Sequence, residues 1–150
     1  MESPLNEQGR PTRKISGITA ELMAAVELMN NGFSVSWPFG DTEGYDLIAD
    51  SRSRLTRIQV KSARNINPAT GTFRVHFRKG HKHSTRYTEE DCDFLVAVLG
   101  YSNGHAYYVI PVGAAITAST FFPPNQHPRY PDKWKTCKME EYRNRWDLLR

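Results

Sequence analysis

The chain has 150 residues, of which 39% are hydrophobic and 24% charged; that balance fits one folded domain with a sizeable core and excludes a disordered chain. No apolar run approaches the roughly 20 residues of a membrane helix, and the polar opening MESPLNEQGRPTRK lacks the apolar stretch of a signal peptide, so a soluble, cytoplasmic protein without a membrane partner is expected. The net charge of +4 is unevenly spread: Ser51 to Thr88 holds ten basic residues and no acid, whereas the rest of the chain holds ten basic and sixteen acidic residues, which points to one cationic face suited to a polyanion.

Residues 1–15 are polar, contain Pro4 and Pro11, and are expected to form a flexible N-terminal arm ahead of a single domain over 16–150. Helix signals begin at Ser16-Gly17. Ile18, Leu22, Ala25, Val26 and Met29 repeat at helical spacing as the predicted buried face, and Gly32 is the predicted stop. Phe33 to Trp37 alternates as a short strand that Pro38 ends. Gly44 to Ala49 and Leu55 to Ser62 are strand-like, and the turn-like Asp50-Ser51-Arg52-Ser53-Arg54 between them predicts a hairpin. A loop over Asn65 to Gly71 precedes a strand over Phe73 to Phe77. Phe94 to Leu99 is a continuous apolar run of the kind found in buried central strands, and Tyr107 to Ile110 is another, across a Ser102-Asn103-Gly104 turn. Val112 to Ala118 reads as a short helix. Pro123, Pro124, Pro128 and Pro131 mark an irregular stretch. Lys138 to Leu149 reads as a final helix with Met139, Tyr142, Trp146 and Leu149 on its apolar side. This order predicts an α/β (α+β) domain with a mixed sheet of about five strands flanked by helices. Cys92 and Cys137 lie far apart without CxxC spacing and are expected to be reduced thiols.

Strand alternation puts Gln59 and Lys61 on one face, with Ile58, Val60 and Ser62 on the other; Asp46 shares a face with Ile48, opposite Tyr45, Leu47 and Ala49. A carboxylate set among Tyr45, Leu47 and Ile48 is costly to bury without a partner. Two readings fit: a structural Asp46–Lys61 ion pair, or a metal site with an amine beside it.

The segments Gly44-Tyr45-Asp46-Leu47-Ile48 and Ile58-Gln59-Val60-Lys61-Ser62, preceded by Gly17-Ile18-Thr19-Ala20-Glu21 on a helix, resemble the PD-(D/E)XK nuclease core. The Gln-x-Lys form, the small size and Tyr87-Thr88-Glu89-Glu90-Asp91-Cys92-Asp93-Phe94 resemble in particular the intron-encoded homing endonucleases of PD-(D/E)XK type found in cyanobacteria; the likeness covers roughly residues 16 to 111. It implies a restriction-endonuclease-like core and a sequence-specific DNA endonuclease making double-strand breaks. It also implies a Mg2+ cofactor, with Mn2+ able to substitute, and a homo-oligomer, dimer or tetramer, acting on double-stranded DNA. Glu21, Asp46, Gln59 and Lys61 would be catalytic. Asp46, Gln59, the Val60 carbonyl and Glu21 would hold the cation, which takes oxygen ligands. Two departures stand out: Tyr45 replaces the usual proline, and Gln59 replaces the usual acid, which gives Glu21 more weight as the second carboxylate.

Arg64, Arg74, Arg78, Lys79, Lys82 and Arg86 are the candidate DNA-binding residues. His76, His81 and His83 sit among cations and read as surface or phosphate-contacting groups. Asp93 reads as architecture, Tyr87 as packing beneath the site, and Trp134, Tyr142 and Trp146 as packing or subunit-interface residues. Other readings within the nuclease class are a restriction-type enzyme and a Holliday-junction resolvase. From another class comes a DNA-binding module whose nuclease site has decayed; an RNA-directed basic protein ranks lower, since no KH-type Gly-x-x-Gly loop appears.

Overall fold

The structure, a computed structural model, describes residues 3–40, 42–64, 66–80, 83–101, 104–115, 118–122 and 131–150. Helix α1 (Arg13–Asn30) starts three residues before the expected Ser16, because Thr12 caps it, its hydroxyl accepting the Ile15 N–H at 3.5 Å. Gly32, at φ +83°, turns the chain out of the helix as expected, its N–H reaching the Met29 carbonyl at 2.9 Å while the Phe33 N–H reaches Leu28 at 3.1 Å.

The strands are β1 (Ser34–Ser36), β2 (Leu47–Asp50), β3 (Leu55–Ala63), β4 (Phe73–His76), β5 (Arg78–Lys79), β6 (Thr85–Arg86), β7 (Phe94–Tyr101), β8 (Gly104–Pro111) and β9 (Ala118–Phe121). Five of them form the expected mixed sheet in the order β1-β2-β3-β7-β8, with β3 and β7 parallel and the other neighbours antiparallel. Two layers cover it. Ala20, Ala24, Ala25 and Leu28 of α1 pack on Leu47, Ala49, Ile58, Val60, Val96, Val98 and Val109, together with Trp146 and Leu149. On the opposite face the β4–β9 pair brings Phe73, Val75 and Phe121 against Leu95, Ala97, Leu99, Tyr108 and Ile110. Cys92 is buried and Cys137 half-buried, both as free thiols.

Three expectations are corrected. First, the buried face of α1 is not the predicted stripe: Ala25 is buried, but Ile18, Leu22, Val26 and Met29 are about half exposed, at 43–53%. Small alanines let the helix lie close to the sheet, and the larger apolar residues are turned outward. Second, Val112 to Ala118 is not one helix. A single 3₁₀ turn (Val112–Ala114) comes first, and Ala118 opens β9, drawn into the sheet layer by pairing with β4, where Phe121 faces Phe73; Ile116 and Thr117 lie outside the described residues. Third, Lys138 to Leu149 is two 3₁₀ turns, Lys138–Tyr142 and Trp146–Leu149. Arg143 breaks the run by bridging to Tyr108, with its guanidinium donating to the Tyr108 hydroxyl and to Glu140, both at 2.9 Å, and Asn144 takes φ +51°. Tertiary contacts there outweigh helix propensity. Trp146 and Leu149 are buried as expected, with Trp146 at 5.9 Å from the Tyr107 ring. Ser102, Asn103, Pro123, Pro124 and Pro128 lie outside the described residues.

Candidate active site

Asp46 sits at the entry to β2, where its N–H donates to the Ile58 carbonyl at 2.8 Å; with Leu47 opposite Ile58, this places Asp46 across from Gln59. The hairpin register therefore puts Asp46, Gln59 and Lys61 on one face of the sheet, the face away from α1. Asp46 Oδ2 accepts the Val60 N–H at 2.7 Å and the Gln59 side-chain amide, Nε2, at 2.5 Å. The same Nε2 lies 3.2 Å from the Val60 carbonyl oxygen. Gln59 is 8% exposed, so its amide has little water to turn to.

Lys61 is half-buried, two residues along, with Nζ 5.0 Å from the centre of the Tyr87 ring. Burial lowers its pKa below the ordinary lysine value, and the nearby Asp46 carboxylate only partly offsets this. Tyr87 is pushed up, first by burial and then by Asp46 and Cys92, so its phenol stays neutral. The buried Cys92 thiol is pushed up to about 12 by burial, reinforced by Asp91 and Asp93, and remains protonated. Asp46 Oδ2 accepts from Gln59 and Val60, and its carboxylate also acts electrostatically on the Lys61 ammonium.

Glu21 is half-buried on the sheet-facing half of α1, four residues before buried Ala25 and seven before buried Leu28. Its neighbour Ala20 and Lys61's neighbour Ser62 line one small cavity with Met23 and Val98.

The segment over 87–93 is tied to β3 by contacts that the sequence did not single out. Arg57 donates to both oxygens of Asp93, its Nη2 to Oδ1 at 3.0 Å, and also to the carbonyls of Glu89 and Glu90 at 2.7 and 2.9 Å. Burial alone would raise the Asp93 pKa, but the Arg57 side-chain and backbone hydrogen bonds outweigh it and hold the carboxyl below the usual range. The signal in the sequence was an acid placed directly ahead of a buried strand. Asp91 accepts from Lys79 Nζ at 2.5 Å and from the Thr88 N–H at 2.9 Å. Gly44 passes so close beneath it that an added Cβ would lie 2.8 Å from Asp91 Cβ and 3.0 Å from its Cα. Gly44→Ala is therefore expected to cost about 1–3 kcal/mol by forcing the two segments apart, read as a lower midpoint in urea unfolding; an unchanged midpoint would show that Asp91 yields freely.

The candidate DNA-binding residues Arg64, Arg74, Arg78 and Arg86 are exposed. Arg78 and Arg86 stand directly opposite each other across β5–β6. Lys79 is engaged with Asp91. His76 and His83 are exposed, while His81 and Lys82 lie outside the described residues.

The donors fit a hard divalent cation. A carboxylate oxygen and a backbone carbonyl oxygen converge on one point, filled by the partial positive charge of the Gln59 amide nitrogen. Among the described residues no group of three or more His, Cys, Asp or Glu assembles, so amide and backbone oxygens must complete such a set. The mixed sheet, with Asp46 and the half-buried Lys61 on its β2–β3 hairpin, defines a restriction-endonuclease-like fold.

Residues 12–138 match the PD-(D/E)XK endonuclease family, and the chain belongs to it. The solved structure of a bacterial homing endonuclease, I-Ssp6803I, is similar over 92% of this chain and 93% of that one, with a TM-score of 0.74 and 26% identity. Protein 5.3 of Escherichia phage T7 is 25% identical over 87 residues, 58% of this chain and 73% of that protein. The likeness read from the hairpin motif is thus shown at the level of family and fold. No helix among the described residues is long and apolar enough to cross a membrane.

Proposed function

We propose that this nuclease is a divalent-metal-dependent, sequence-specific DNA endonuclease of homing type that makes double-strand breaks. The convergence of Asp46 Oδ2 and the Val60 carbonyl on one point beside Lys61 carries the reading. Asp46, the Val60 carbonyl and the Gln59 side-chain oxygen would hold Mg2+ or Mn2+; Glu21 stands on the α1 side of the sheet, opposite the face that carries Gln59 and Lys61, so its part in the set would run through a metal-bound water. When bound, the cation polarises the scissile phosphate and acidifies water. Lys61 orients the attacking water and offsets charge developing on the phosphate; its partial desolvation strengthens that interaction. The Tyr87 ring faces the Lys61 ammonium and helps to position it.

Duplex DNA is supported as the substrate by the exposed Arg78–Arg86 pair. Like charges directly opposite on a two-stranded ribbon repel, and a phosphate between them removes the repulsion. Together with Arg64 and Arg74 they are assigned to phosphates or to base edges. A dimer or tetramer is supported by the exposed Ile18, Leu22, Val26 and Met29 stripe on α1, which an assembly would cover. The second reading, a DNA-binding module with a decayed site, is favoured by a single observation: the residue at the usual acid's place is an amide already bonded to Asp46.

Long duplex DNA incubated with Mg2+ separates the two. The parent is expected to cut, and Asp46→Ala and Lys61→Ala to lose about 100-fold or more, with unchanged circular dichroism. Cutting that survives both substitutions would sink the assignment. DNA binding without cutting in any divalent metal would favour the decayed module.

A further inference from the structure

The Gln59 amide nitrogen stands where the cation of the proposed site would stand. It donates to Asp46 Oδ2 at 2.5 Å and approaches the Val60 carbonyl at 3.2 Å, so its two N–H groups are spent on the two oxygens that converge there. A third donor, the Val60 N–H, holds Asp46 Oδ2 from the backbone at 2.7 Å. The amide is nearly inaccessible to water, and its two ends are almost the same size. A half-turn about its last bond exchanges nitrogen for oxygen without repacking anything.

The two orientations have opposite electrostatics. With nitrogen inward, both oxygens accept a hydrogen bond and the site is closed without metal. With oxygen inward, three oxygens face one point and repel unless a cation sits among them. An acid, the residue usual at this place in the pattern that the chain resembles, has no such choice: it would set two carboxylates against each other in the metal-free protein.

We propose that the Gln59 amide is a two-position gate, donating to Asp46 and Val60 in the metal-free protein and turning by half a revolution to offer its oxygen when a divalent cation enters. The inference rests on the metal-dependent reading of this site and adds to it a linked rearrangement. Cation affinity is reduced by the population of the turned amide, because only that orientation is competent. Asp46 and Val60 keep their positions throughout, so the gate closes the site without disturbing the fold.

The test uses the full chain, stripped of metal and labelled with 15N, with the Gln59 side-chain NH2 resonances assigned by their loss in Gln59→Glu. Mg2+ is titrated in while binding is followed separately by calorimetry. The expected result is a pair of protected, hydrogen-bonded NH2 protons in the metal-free protein that lose protection and shift as Mg2+ saturates. Mg2+ binding with the NH2 protons still protected overturns the gate and leaves the nuclease reading standing. Mg2+ binding to Gln59→Glu but not to the parent shows an amide that does not turn; it overturns the gate and counts against metal-dependent cleavage as well. NH2 protons unprotected before metal is added also overturn it, whatever the affinity.

Discussion

Lys61→Met is expected to lower DNA cleavage by about 100- to 1,000-fold, the usual cost of deleting one well-placed electrostatic group, while leaving the melting temperature unchanged or raised. Methionine keeps a flexible apolar side chain beside the Tyr87 ring and removes the charge that the ring faces. The lowered Lys61 pKa means that its surroundings hold the ammonium less well than water does, burial outweighing Asp46. The sign follows: the folded-state pKa lies below the unfolded one, so the ammonium costs stability at neutral pH and that cost fades as pH rises through the folded value. A residue that weakens the fold yet is held in the sheet beside a carboxylate is what a functional group looks like. Paired cleavage and thermal-melt measurements check both halves. A large fall in melting temperature with cleavage intact would make Lys61 structural.

Asp93→Ala is expected to have the opposite profile, a large loss of stability through a residue that anchors one segment to another. It strands the Arg57 guanidinium and releases the 89–93 segment from β3. Breaking a fully buried pair costs about 3–5 kcal/mol; here the two side chains are 25% and 34% exposed, so about 2–3 kcal/mol is expected, or roughly 5–10 °C in melting temperature for a chain of this size. The contribution has a definite pH dependence. The Asp93 pKa is lowered by folding, so its stabilisation is complete above the ordinary carboxylate range and is lost as pH falls through the lower folded value. The gap between the parent and Asp93→Asn in urea unfolding should therefore be wide at pH 7 and close at strongly acid pH. A gap that persists there would show that the carboxylate charge is not what anchors the segment.

The β2–β3 hairpin and the buried β7 were legible because their patterns are local. Alternation fixed which side of β3 carries Gln59 and Lys61, and the turn at Asp50-Ser51-Arg52 forms with Arg52 at φ +70° and its N–H on Asp50 Oδ1 at 2.6 Å. Whether Asp46 shares that face depended on the hairpin register, which the structure supplies by setting Leu47 opposite Ile58. The direction of the Gln59 amide was not legible, since it depends on Asp46 across the hairpin and on the carbonyl of the adjacent Val60. The buried face of α1 was misread because Ile18-Leu22-Val26-Met29 and Ala20-Ala24-Leu28 both repeat at helical spacing, and periodicity does not say which of two stripes meets the sheet. The C-terminal segment and β9 were misread for a different reason. Arg143 on Tyr108 and Phe121 opposite Phe73 are contacts between residues far apart in sequence, invisible to any local window.

Family and fold establish what kind of catalyst this chain derives from; the proposal that its own site is active rests on the Asp46, Val60, Gln59 and Lys61 geometry. The most direct measurement is a cleavage-site selection from a randomised duplex library in Mg2+, run in parallel with the parent and Asp46→Ala. The expected result is one long sequence, cut on both strands, enriched by the parent and not by the variant. Enrichment of the same cut site by both proteins, or no cut product from a parent that demonstrably binds DNA, would contradict the assignment.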